Sequence, residues 1–401
     1  MLRKNLPVGI AFMALTAIVP ARAADLPGVT ATEIKIGNTD AYSGPASAFS
    51  VIAKLEAAFF KMVNDQGGIA GHKVNFISLD DGYSPPRTVE QVRRLIEEDQ
   101  VALLFNTLGT PTNSAIYRYV NEKKVPHLFI STGADKWGDY QHFPWTMGFQ
   151  PSYRIEAQIY AKYVLREKPD AKVAILYQND DLGKDYLAGL RDVLGDKFDK
   201  MVVSASYEMT DPTIDSQITS LKGTGAEVLL VAATPKFAAQ AIRKVYDLEW
   251  KPLFLMSNVS GSVGGVIKPA GPERAIGMIT AGYLKDPNDP AWKNDAGMNE
   301  WRDFMAKYLP GADTTDAAYV FAYAVSKAML EVLRKCEGNF SRENIMKQAA
   351  SLHDLEIPTL LPGIKVNTSA TNYRPIRQMQ LAEFDGTSWK LFGDVITGAG
   401  N

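Results

Sequence analysis

The sequence predicts an α/β protein built of two units, each with a mostly parallel sheet covered by helices on both faces. Three observations predict this. Apolar runs of strand length alternate with helix-period segments from residue 33 onward, the alternation restarts near residue 152, and no long Gly/Ser- or Pro-rich linker divides the halves. At 401 residues the chain is also long for a single hydrophobic core.

The elements follow in order. A strand over 33–38 leads to a helix over 50–65, in which Val51, Ile52, Leu55, Phe59, Met62 and Val63 share one broad face. Gln66-Gly67-Gly68 ends that helix, because glycine accepts the left-handed backbone of a helix terminus. A strand over 73–79 comes next, then a helix over 87–98 with Val89, Val92, Leu95 and Ile96 inward. A strand over 101–105, a short helix over 113–122 and a strand over 125–130 complete the first series. The second series opens with a helix over 152–166, which turns Ile155, Ile159, Tyr160 and Tyr163 toward a core. It continues with a strand over 172–177, a helix over 183–194, and strands over 201–207, 228–232 and 252–256, with helices over 214–222 and 236–246 between them. The last part predicts a strand over 276–283 and helices over 299–308 and 315–336. Strands over 378–384 and 389–392 then close on Asp385-Gly386, a strong hairpin signal.

The first residues predict export. Arg3 and Lys4 precede an apolar stretch over 8–19, and Ala21-Arg22-Ala23 supplies the small residues a signal peptidase needs, so residues 1–23 read as a cleavable leader to the periplasm. The stretch is too short to span a bilayer as a helix, and no Cys follows it to carry a lipid. Losing Arg3, Lys4 and Arg22 with no acidic residue moves the formal charge from −2 to −5. With no basic block, nucleic acid and anionic lipid are not expected partners. Cys336, the single cysteine, reads as a buried thiol without a disulfide.

Enzyme signatures are missing from the sequence. The histidines at 72, 127, 142 and 353 have no metal-ligand spacing, and there is no H-E-x-x-H, C-x-x-C, G-x-S-x-G, P-loop, or G-x-G-x-x-G after the first strand. No metal, cofactor or catalytic residue is therefore expected. Asp80-Asp81 could serve acid/base chemistry as a carboxylate pair, but reads more simply as a polar strand end that caps the next turn.

In parallel sheets, ligands bind beyond the carboxyl ends of the strands, where loops and helix N-termini present unpaired N–H groups. Three such loops are rich in glycine and hydroxyls: 39–45 with Tyr42, 106–112 with Gly109 and Thr110, and 131–137 with Gly133, Ala134 and Asp135. Neighbouring loops of this kind can offer several donors to one carboxylate.

Ser43-Gly44-Pro45, the run Asn64-Asp65-Gln66-Gly67-Gly68-Ile69-Ala70-Gly71, Asp80-Asp81 and Asn179-Asp180-Asp181-Leu182-Gly183, in this order and spacing, resemble type I periplasmic binding proteins of the leucine/isoleucine/valine-binding branch. The resemblance covers essentially the whole chain after the leader. It implies two Rossmann-like lobes joined by three crossings, placed near 148–152, 277–285 and 361–367. The N-terminal lobe would hold 24–148 and 283–361, and the C-terminal lobe 149–282 and 362–401. It also implies a solute bound between the lobes, no catalysis, and delivery to the membrane permease and ATPase of an ABC importer. Carried over residue by residue, carboxylate-binding loops fall on Gly109-Thr110 and Gly133-Ala134, and Phe49 matches an aromatic wall.

Two positions depart from the family pattern. Asn258 is neutral where amino-acid binders place an acid against the ligand ammonium, and Leu182 stands where an aromatic ring is common. Asp135 is a candidate replacement anion. The expected ligand is a small carboxylate with an apolar or aromatic body. A branched-chain or other amino acid, another polar solute, or a sensor role on the same fold remain as alternatives.

Overall fold

Two sheets organise the described residues, 26–398, of the computed structural model. The leader read over 1–23 lies outside them. The first sheet contains β1 (Glu33–Asp40), β2 (Lys73–Asp80), β3 (Leu103–Phe105), β4 (His127–Ile130) and β5 (Thr146–Gly148) in the order β2-β1-β3-β4-β5, with every pair parallel. The second contains β6 (Val173–Gln178), β7 (Val202–Tyr207), β8 (Val228–Ala232), β9 (Leu253–Met256), β10 (Ile279–Gly282), β11 (Gln378–Phe384) and β12 (Trp389–Thr397). Its order is β12-β11-β10-β9-β8-β6-β7, parallel from β7 to β10 with an antiparallel β11–β12 hairpin at the other edge. Each half thus places its first strand between its second and third. The interior strands β3, β4 and β8 are buried along their length, as helices on both faces require, whereas edge strand β2 stays half-exposed.

Helices α1 (Val51–Asp65), α2 (Pro85–Arg93) and α3 (Thr110–Glu122) connect the first sheet. Helices α4 (Tyr153–Glu167), α5 (Asp181–Leu194), α6 (Phe198–Met201), α7 (Asp215–Gly223), α8 (Pro235–Asp247) and α9 (Lys268–Ala270) serve the second. Helices α10 (Ala296–Tyr308), α11 (Ala317–Lys335) and α12 (Arg342–Ala349) return to the first lobe. There Phe59 of α1 packs against the rings of Phe304 and Tyr323, at 5.9 and 5.6 Å between centroids. Cys336, just past α11, is buried, and burial pushes its thiol up to about 12, which leaves it unreactive.

Local chemistry sets the turns. Asn64 brackets Val74, accepting from its N–H and donating to its carbonyl, both at 2.8 Å, while a Cβ at Gly68 would lie 2.1 Å from the His72 carbonyl oxygen. The glycine there is obligatory. Asp80 and Asp81 cap turns: Asp80 accepts from the Ser43 and Gly82 N–H groups, and Asp81 from the Tyr83 N–H and the Thr88 hydroxyl.

Several boundaries differ from the sequence reading. α2, α3 and α8 begin earlier, at Pro85, Thr110 and Pro235, because proline fits the first helical turn, where its missing N–H has no partner to lose. Strand β5 and helix α12 were not read from the sequence. The third crossing also falls later than 361–367. Tyr373 donates to the Pro144 carbonyl (3.1 Å), Arg374 pairs with Asp135 (3.1 Å), and β11 begins only at Gln378. The bridge between Leu355 and Val366, with the Thr368 hydroxyl donating to Ala349, folds this segment back beside α12. Residues 362–376 therefore pack with the first lobe, which corrects the expected assignment of 362–401 to the second.

Helices α4 and α5 approach closely at Gly189, where a Cβ would lie 2.3 Å from the Arg154 carbonyl oxygen and 2.7 Å from Ala157 Cβ. Gly189→Ala should destabilise the protein by about 1–3 kcal/mol through overpacking. Urea denaturation should show a lower midpoint with an unchanged m-value; an unchanged midpoint would mean that the helices separate without cost.

Candidate functional site

The carboxyl ends of the parallel strands in the two lobes face each other across a cleft of about 1310 Å³, its open mouth included. The first lobe contributes Phe49 from a 3-10 turn before α1, Tyr83 from the turn after β2, Gly109 and Thr110 at the start of α3, and Ser131 after β4. The second lobe contributes Tyr153 of α4, Leu182 of α5, Thr234 after β8 and Asn258 after β9. Of the residues nominated from sequence, Phe49, Gly109, Thr110, Leu182 and Asn258 meet here.

The α3 end is tightly built. Gly109 has φ +99°, and a Cβ on it would lie 2.4 Å from Tyr83 Cε2, so the Tyr83 ring packs directly on that glycine. Tyr83 itself has φ +58°, rare for an aromatic residue, and Asp81 holds the turn by accepting its N–H at 2.8 Å. Beneath the loop, Asn113 donates to the carbonyls of Thr107 (2.9 Å) and Gly109 (2.7 Å), and Thr107 contacts the buried His127 at 2.6 Å. Burial lowers the His127 pKa to about 3, so the ring is neutral. The Thr110 hydroxyl is shared with Thr132 at 2.5 Å. What Thr110 can offer a ligand is its N–H, one of those in a first helical turn that have no partner within the helix.

Four nominated residues lie elsewhere. Tyr42 donates to the Ser78 hydroxyl at 2.7 Å and is absent from the cleft wall. Gly133 accepts from the Tyr153 N–H at 2.7 Å, and together with Ala134 it lines a separate small pocket beside the Asp135–Arg374 pair. Asp135 is committed to Arg374, so it is not an anion for the cleft. These four corrections share a cause: the backbone and side chains of both loops are already used to hold strand ends and crossings together.

The acids nearest the cleft have their donors. Asp316 accepts from the Ser262 hydroxyl (2.7 Å) and the Ala318 N–H (3.0 Å), and Asp286 from the Trp389 and Asn288 N–H groups (2.9 and 3.0 Å). Lys285 Nζ sits 2.8 and 2.9 Å from the two oxygens of Asp295. Asp180 caps α5 by accepting from the Leu182 N–H at 2.9 Å, and burial pushes its pKa up to about 6. Behind Asn258 lies Glu156, fully buried, which accepts from the Tyr160 hydroxyl (2.7 Å), the Asn258 N–H (2.8 Å) and the Asn258 side-chain amide. One N–H of the Asn258 side chain is thus held inside the second lobe.

Contacts across the lobes flank the cleft on both sides. At one edge Lys136 reaches Asp181 at 2.6 Å, and the Asp135 N–H donates to Asp185 at 2.7 Å. At the other, Ser262 donates to Asp316 and the Gly264 N–H to the Thr315 carbonyl at 3.0 Å. The lobes are closed on one another.

Sequence reasoning missed Tyr83, although it stands at a strand's carboxyl end like the loops that were nominated. Trp292, which lines the far end with Trp389, comes from a segment with no local signal.

A family model described as periplasmic binding protein matches residues 33–388. The Leu/Ile/Val-binding protein homolog 7 of Brucella abortus (strain 2308) is 24% identical over 372 residues, which cover 89% of each chain. A branched-chain amino acid ABC transporter protein from Thermus thermophilus with bound valine superposes with a TM-score of 0.82 at 15% identity, covering 92% of this chain and 98% of that one. A solute-binding protein of an ABC transporter from R. palustris in complex with benzoate gives 0.75 at 17% identity, covering 92% and 97%.

Burial raises the pKa of Glu156 to about 7 from 4.5, and Asp40 and Asp185 likewise to about 7. Below about pH 4.5 Glu156 is protonated in both folded and unfolded chains; as pH rises toward 7, only the unfolded chain ionises readily, so stability is lost. The loss from Glu156 amounts to about 3 kcal/mol. Thermal melts from pH 4.5 to 8 should show Glu156→Gln gaining on the wild type as pH rises. Parallel pH profiles for the two proteins would show that Glu156 ionises normally in the fold.

Proposed function

The chain belongs to the periplasmic binding protein family, and we propose that it presents a small carboxylate with an apolar or aromatic body to the permease and ATPase of an ABC importer. Cleavage of the leader after Ala23 would release it into the periplasm. The observation that carries the ligand class is the charge state of the cleft: each acid in or beside it is already bonded, while the first turn of α3 offers N–H groups without acceptors.

A carboxylate at the Thr110 end would accept from the Thr110 N–H, with the Ser131 and Thr234 hydroxyls nearby and Phe49, Tyr83 and Tyr153 around its body. An ammonium in the same cleft would need an anion. Asp135 is held by Arg374, and Asn258 gives its amide to Glu156. Leaving such a cation unpaired costs several kcal/mol. The benzoate-bound relative supports this reading; the valine-bound one and the Leu/Ile/Val-binding homologue favour the second reading, an amino acid. No bond is made or broken in either case. Ligand stabilises the closed arrangement by binding it better than the open one.

Calorimetry should rank phenylacetate and 4-methylpentanoate at least tenfold above phenylalanine and leucine. Thr110→Pro, which keeps the first-turn backbone and removes the N–H, should weaken the acids by about tenfold to a hundredfold, as loss of a charge-assisted hydrogen bond does. Thr110→Val, which removes only the hydroxyl shared with Thr132, should have a smaller effect. Tighter binding of the amino acids would establish the second reading instead.

A further inference from the structure

The cleft is much longer than a single ring with a carboxylate. Its second-lobe wall takes Thr234 after β8, Asn258 after β9, Thr280 on β10, Ala382 on β11 and Leu391 on β12, which are consecutive neighbours in the sheet. Four interstrand spacings separate the first from the last, about 19 Å.

The two ends differ in chemistry. At the α3 end lie the unpaired N–H groups. Trp389 and Leu391 line the far end, Phe321 of α11 also lines the cleft, and Leu284 and Trp292 come from the second crossing and the chain after it. The polar groups of that end are bonded to protein: Ser262 to Asp316, Asp286 to the Trp389 N–H, and Lys285 to Asp295. An anionic ligand group placed there would lose water beside the carboxylates of Asp286 and Asp316.

Building on the carboxylate reading, we infer that the ligand is an elongated monocarboxylate, with its anion at α3 and an apolar tail laid along the wall to the Trp292–Trp389 end. An unbranched acyl chain or an aryl ring extended by a chain fits this shape. A dicarboxylate of equal length does not, because its second anion would fall beside the carboxylates of Asp286 and Asp316.

Calorimetry on the chain from Ala24 onward with unbranched monocarboxylates of four to twelve carbons, their primary amides and the matching α,ω-dicarboxylates tests this. Kd for the acids should fall about fourfold per added methylene until the far end is filled, the free energy of burying each group. Dicarboxylates should bind at least tenfold more weakly than monoacids of equal length. Leu391→Trp, or Leu284→Trp if that variant does not fold, should reduce the gain per methylene for the longest acids. Acids that bind better than amides with no dependence on length, or dicarboxylates that match monoacids, would overturn the tail site and leave the carboxylate reading standing. Amides that equal the acids with the same dependence on length would support the tail site and overturn the carboxylate. Failure of all three series to bind would overturn both.

Discussion

Parallel pairing is the constraint from which the rest of the structure follows. With β1–β5 running one way, all the loops that follow them emerge on one side of the first sheet, and β6–β10 do the same in the second. The crossings after β5 and after β10 leave from that side too, so the two sets of loops are brought face to face. Neither set encloses a space alone. Phe49, Tyr83 and Thr110 form one wall and Leu182, Thr234 and Asn258 the other, so a ligand loses its water only when both are present.

Charge pairing then decides what can be bound. Acids beside the cleft take donors from their own lobe, from the facing lobe or from the crossings: Glu156 takes the amide of Asn258, Asp180 the N–H of Leu182, Asp181 the ammonium of Lys136, Asp135 the guanidinium of Arg374. These arrangements neutralise the second-lobe wall. They leave the start of α3 presenting a backbone donor in need of an acceptor, with Gly109 held against Tyr83 so that the backbone itself can approach a ligand.

Much of this was legible in the sequence because it is local. Hydrophobic period gave β8 its bounds and α1 all but its first residue, the Asp385-Gly386 hairpin joins β11 to β12, and Gly68 ends a turn that admits no side chain. Phe49, Gly109, Thr110, Leu182 and Asn258 were reachable from strand ends and from the family resemblance. What was not legible depends on distant partners. The sequence could not show that Arg374 would claim Asp135 across 239 positions, or that Glu156 would claim Asn258 across 102. The three early helix starts differ for a local reason: the expected helices begin after prolines 85, 111 and 235, whereas each proline belongs to a first helical turn.

The central claim is that a ligand holds the two walls together, with Lys136–Asp181 on one flank and Ser262–Asp316 on the other closing around it. Small-angle X-ray scattering, with and without a ligand shown by calorimetry to saturate the protein, tests this most directly. The account predicts a smaller radius of gyration in the complex, as separated lobes swing shut. An identical radius with the site fully occupied would contradict it, and would mean that the cleft binds its ligand without moving.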